Sequence, residues 1–275
     1  MNAENLIQAG DILSALALAK ESVRATPSDP KFRIALFQME CLAGNWAKAT
    51  AQLDILRELG DESAVFTQVF SAVVECEILR NEVFQGRRTP IIFGEPSEWM
   101  GWLVESARLV ASREYEAAEA LRSRAFDEAA SLPGTINGAP FEWLADSDMR
   151  LGPMFEVIMD GCYRWVPMCR VESIQFDPPQ DLRDLVWFPA RLRWTNGGLA
   201  NGFFPVRYPG TEGQSDAALL LSRRTEWDSK PFGFYEGVGQ RMFSTDRGEF
   251  PLLDVREIQF GATSPSDDTS APSLQ

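Results

Sequence analysis

The chain has 275 residues, 45% of them hydrophobic, and a formal net charge of −14. That length and apolar content suit one large or two ordinary globular domains and exclude a disordered chain. The chain has no histidine, which removes Ser-His-Asp and Cys-His chemistry and most catalytic zinc sites, while the acidity disfavours nucleic acid and favours a basic partner.

No apolar run approaches the roughly 20 residues of a membrane helix, so no membrane insertion is expected. Glu4 and Asp11 stand where the basic region of a signal peptide would lie, and a cytoplasmic location is expected.

Residues 1–131 read as helices. Leu6, Ile7, Ile12, Leu13, Leu16 and Val23 recur at helical spacing, broken at Gly10. The prolines at 27 and 30 stop one helix and start the next, with Ser28 or Asp29 as its cap. A helix is predicted from about Lys31 to Leu42, a turn at Gly44 and Asn45, and a returning helix from Trp46 to Leu59. Gly10 and Gly44 are 34 residues apart, as are Ala15 and Ala49, which is the tetratricopeptide period; a looser echo ends at Ala118. Another helix is predicted from Ser63 to Phe84. Residues 86–96 read as an excursion, and Ser97 caps a helix carrying Trp99, Trp102, Leu103 and Val110.

From Leu132 the hydrophobic period falls towards two. Residues 132–153 read as a linker and 154–260 as a β-rich domain. Asp160-Gly161 and Asn196-Gly197-Gly198 read as hairpin turns. The segment 217–223 fits either a strand or a helical turn. The expected architecture is α+β: tetratricopeptide-like helical repeats, then a small SH3-like or partly open barrel of roughly five to seven strands. The tail 261–275 is polar and is expected to be disordered.

Cys41 and Cys76 sit in apolar helical patterns and read as small buried hydrophobes. Cys162 and Cys169 lack the companions of a zinc site, all four thiols are expected to be reduced, and no cofactor is implied.

The C-terminal half carries recognisable text. The block GAPFEWLADSDMRLGP at 138–153 is followed by DGCYRWVP at 160–167, DLRDLVW at 181–187, PVRYP at 205–209, GVGQR at 237–241, and Thr245-Asp246. In this order they resemble the ImpE/TagJ family of type VI secretion accessory proteins, and the upstream repeats extend the resemblance to about residues 1–260. The resemblance implies a non-enzymatic cytoplasmic adaptor touching the small subunit of the contractile sheath and a ClpV-type AAA+ ATPase. It supplies no catalytic motif and no contact residues.

Other readings compete with it. Asp146 and Asp148, with Glu142, could form a carboxylate site for a metal or for acid–base work; the plainer reading is a capped turn with Asp148 and Arg150 fixing the linker. The pairs Arg164-Trp165, Arg191 to Trp194 and Arg223-Arg224 could stack bases, or could be strand residues alternating between core and solvent. Gly237 to Arg241 resembles a phosphate loop without its third glycine, and a hairpin turn is the plainer reading. The concave face of the repeats is the favoured partner surface, with Arg33, Gln38 and Glu40 available for contact; the alternative is a bundle packed on the barrel.

Overall fold

A computed structural model describes residues 3–261. The helical half contains α1 (Ala3–Gln8), α2 (Ile12–Ala25), α3 (Pro30–Leu42), α4 (Trp46–Leu59), α5 (Ala64–Phe84), α6 (Glu98–Ala111) and α7 (Tyr115–Glu128). A short strand, β1 (Ile91–Ile92), lies in the excursion between α5 and α6. The tail expected to be disordered lies, beyond Gly261, outside the described residues.

The repeat seen in sequence is a repeat of turn geometry. Gly10 and Gly44 both adopt left-handed φ, at 81° and 68°. The next residues, Asp11 and Asn45, share nearly the same backbone angles, and their amides donate to Leu6 O and Glu40 O, both at 2.8 Å. This is the six-to-one closure of a helix that ends in a left-handed residue. A third copy occurs at Arg113 (φ 63°), where Glu114 N–H donates to Leu109 O at 2.9 Å. Ala15, Ala49 and Ala118 sit five residues after these turn residues, and each is fully buried where paired helices approach.

The C-terminal half is more extensive than a small barrel. Its elements are β2 (Gly134–Ile136), β3 (Ala139–Phe141), β4 (Leu144–Asp146), β5 (Met154–Met159), β6 (Cys162–Pro167), β7 (Val171–Phe176), β8 (Trp187–Trp194), β9 (Leu199–Pro205), α8 (Ala217–Leu220), β10 (Thr225–Ser229), β11 (Tyr235–Gly239), β12 (Met242–Thr245), β13 (Gly248–Pro251) and β14 (Glu257–Phe260). A nine-stranded sheet runs β1-β6-β5-β9-β8-β7-β14-β2-β3, and β1, from the helical half, is its one parallel neighbour. A three-stranded sheet β13-β12-β4 and the β10-β11 pair complete it.

Two expectations change here, and an open one is decided. The segment 132–153 is no bare linker, since β2, β3 and β4 are built into two sheets. Gly237 lies inside β11 rather than in a turn, and a Cβ there would overlap the Tyr208 ring. The ambiguous segment after Asp216 is a helical turn, with the Asp216 carboxylate accepting from Ala218 N–H at 2.7 Å. The Asp160-Gly161 turn forms as predicted: both residues have positive φ and Met159 pairs with Cys162.

At β5 the sheet is covered on both faces, so every residue of that strand is buried, whereas β7 and β8 leave Glu172, Arg191 and Arg193 exposed on one side. Met154 and Ile158 face a core shared with the helices, together with Phe37, Leu53, Val73, Trp165 and Trp187. Phe155 and Val157 face a second core closed by Phe243 of β12. Phe37, Phe70 and Trp187 form an aromatic chain across the two halves, with centroid spacings of 5.7 and 6.2 Å.

Candidate functional site

The carboxylates singled out by sequence sit in a buried ionic junction between the halves. Arg80 of α5 makes a two-pronged bond to Glu156 of β5, at 2.7 and 3.1 Å, and donates to Glu77 at 2.9 Å. Trp187 Nε1 donates to the other Glu77 oxygen at 3.0 Å, and Tyr163 hydrogen-bonds Glu156. Arg241 bridges Glu156 and Asp146. Asp146 also accepts from Tyr208 Oη at 3.2 Å and Asp148 N–H at 2.8 Å, while Arg150 Nε donates to Asp148 at 2.9 Å.

The electrostatics follow from these neighbours. Burial pushes Glu156 up, but Arg80 and Arg241 outweigh it and hold its carboxyl at about 2. Asp146 has one guanidinium against the burial and against nearby Asp148, and it is pushed up to about 6. Both aspartates are engaged with arginines inside the protein, and Glu142 is exposed on the surface. Among the described residues no group of three His, Cys, Asp or Glu could hold a metal ion. The geometry is that of a structural joint: unpairing buried charges here costs about 3–5 kcal/mol.

The base-stacking reading loses its aromatics. Trp165 is fully buried, and Trp194 is stacked on Phe93 with ring centroids 4.3 Å apart. Arg191 pairs with Asp177, and Arg224 with Asp216 and Glu226. Arg191 alternates with core residues along β8, whereas Arg223 and Arg224 lie before β10, outside any strand.

The three residues expected to meet a partner are placed unequally. Glu40 is 2% exposed, 3.2 Å from Lys20 Nζ, and accepts from Asn45 Nδ2 at 2.7 Å, so its carboxylate pins α2 and the α3–α4 turn instead. Arg33 is half-buried and donates to Pro27 O at 2.7 Å and to Gln52 at 3.2 Å. Gln38 is half-buried. Beside them is a shallow recess of about 310 Å³ between α2, α3 and α4, lined by Lys20, Val23, Arg24, Leu36, Lys48 and Gln52, with Glu40 and Ala51.

A second recess, of about 490 Å³, opens between α6, the end of α7 and β4. Trp99, Phe126, Trp143, Met149 and Met168 line it, and Trp143 and Phe126 are 41% and 37% exposed. Size and lining are those of a ligand or peptide pocket. Trp143 stands inside the block at 138–153, but nothing in its sequence context marks it as a site residue; a large aromatic left partly exposed beside buried neighbours is visible only in the fold.

The comparisons bear on this geometry. The ImpE protein family model matches residues 138–259. The type VI secretion system accessory component TagJ of Pseudomonas aeruginosa is 46% identical over 263 residues, covering 96% of this chain and 92% of that protein. The chain belongs to the ImpE family. Its fold is shared with protein VPA1032 of Vibrio parahaemolyticus, whose crystal structure superposes with a TM-score of 0.86 at 24% identity, covering 95% of this chain and 98% of that one. The block that lines the Trp143 recess and supplies Asp146 and Asp148 falls inside the ImpE match.

Proposed function

We propose that this ImpE-family chain is a non-catalytic, cytoplasmic adaptor of type VI secretion. The observation that carries the reading is the ionic junction: Asp146 and Asp148, the residues nearest to a catalytic pair, are neutralised inside the protein by Arg241 and Arg150. The similarity to an accessory component of that secretion system supports the pathway.

The partner surface in this reading is the helical half. Three helical hairpins closed by the same turn support tetratricopeptide-like stacking, which leaves a recess between α2, α3 and α4 at the surface. The partners it proposes are the small subunit of the contractile sheath and the ClpV-type ATPase. The test is calorimetric titration of the full chain against each purified partner. Saturable binding of either one supports the adaptor, and binding of neither overturns the assignment of partners.

A further inference from the structure

The sign of the charge in the helical recess is opposite to that of the molecule. The chain carries −14, yet Lys20, Arg24 and Lys48 line the recess between α2, α3 and α4. Glu40, the one acidic residue in the lining, lies at its buried base and is already engaged by Lys20 and Asn45. Arg24 and Lys48 are exposed and have no ion pair among the described residues. Val23, Leu36 and Ala51 complete the lining, so the cations surround a small apolar floor.

The half-buried ammonium of Lys20 offsets Glu40, whereas neither Arg24 nor Lys48 has an acidic partner among the described residues, although Arg24 also suits the dipole in the last turn of α2. They lie on different helices, α2 and α4, and meet only because the hairpins stack. Two uncompensated cations beside apolar side chains match a segment that offers carboxylates next to an aliphatic residue.

We propose that this recess docks an acidic segment of a partner protein, with carboxylates on Arg24 and Lys48 and an aliphatic side chain over Val23 and Leu36. The proposal rests on the adaptor reading and deepens it, replacing the basic partner expected from overall charge with an acidic one.

The experiment is fluorescence anisotropy of the full chain with two labelled helical model peptides. One carries glutamates beside a leucine stripe; the other carries lysines in their place. The glutamate peptide is expected to bind at least about tenfold more tightly than the lysine peptide. Arg24→Glu with Lys48→Glu should weaken the glutamate peptide at least about tenfold. Arg87→Glu with Arg88→Glu, an equal charge change on the exposed loop after α5, should leave it within about twofold. Thermal melts of both variants should match the parent, because all four side chains are exposed. Failure of the glutamate peptide to bind, equal binding of the two peptides, or equal losses in the two variants would each overturn the proposal. If the peptide binds as described and neither the sheath subunit nor the ATPase does, the recess stands and only the named partners fall.

Discussion

Arg207 and Arg223 grip the helical half at positions 34 residues apart. Arg207 donates to Leu42 O at 2.8 Å and Cys41 O at 3.1 Å; Arg223 donates to Gln8 O at 3.0 Å and Ile7 O at 2.8 Å. Ile7 and Gln8 in α1 are the repeat counterparts of Cys41 and Leu42 in α3. Each guanidinium therefore caps a helix C-terminus, sharing Ile7 O with the Gly10 amide or Cys41 O with the Gly44 amide, and meets the negative end of the helix dipole.

The two grips should differ in strength. Arg207 is buried and has a third acceptor in Leu220 O at 3.1 Å, while Arg223 is exposed. Arg207→Ala removes three hydrogen bonds from carbonyls at a buried junction and should cost about 2–4 kcal/mol. Arg223→Ala should cost about 1 kcal/mol or less, since water replaces the donor. Urea denaturation of both variants checks the order, and equal losses would contradict it.

The pH dependence of stability has two limbs of opposite sign. Glu156, held down from 4.5 to about 2, contributes stability that is present above 4.5 and is lost as pH falls towards 2. Asp146, pushed up from 3.8 to about 6, binds its proton more tightly in the folded protein, so its contribution declines as pH rises from 3.8 through 6. The two groups together place a stability maximum between those limbs. Asp146→Asn should remove the decline between pH 4 and 6, so that the variant gains stability relative to the parent as pH rises to neutrality, because a neutral amide stands where the folded protein disfavours a charge. Urea midpoints measured across that range for parent and variant decide it.

Gly237→Ala and Gly213→Ala separate crowding from chain stiffness. A Cβ at Gly237 would overlap the buried Tyr208 ring, whose hydroxyl bonds Asp146 at 3.2 Å and accepts from Met242 N–H at 2.9 Å. Nothing lies within 4 Å of a Cβ at Gly213. The first substitution should cost about 1–3 kcal/mol, and the second should stay within about 0.5 kcal/mol of the parent. Thermal melts of the pair are the measurement.

Trp143→Ala should cost about 1–2 kcal/mol, because the side chain is 41% exposed and makes no ring contact or hydrogen bond among the described residues. Trp187→Ala should cost about 3–5 kcal/mol, since that ring fills the shared core and donates to Glu77. Unfolding midpoints of the two tryptophan variants are the check.

Local signals carried the helical half. Gly10 and Gly44 end helices because only a left-handed residue closes that turn without strain, and the apolar spacing between them is helical. Arg113 was illegible as the third turn because nothing in an arginine announces positive φ. The three-residue strands β2 and β4 were illegible for another reason: their partners in β14 and β12 lie about a hundred residues away, beyond any local pattern, whereas β3 pairs with β2 across the Asn137-Gly138 turn. The same limit applies at the recess. Lys20 and Arg24 are four apart on α2 and share a face, but Lys48 joins them only through stacking, and Glu40 is withdrawn by Asn45 at the turn.

The core that joins Phe37 and Phe70 to Trp165 and Trp187 belongs to both halves at once, although the sheet half keeps a further interior around Phe155 and Phe243. Cutting the chain near Pro133 divides one hydrophobic interior rather than separating two modules, and each fragment would expose the face it lost. Heat should therefore melt helices and sheet in one cooperative step, and force applied by a partner to the helices is carried through Arg80 and Arg207 into the sheet.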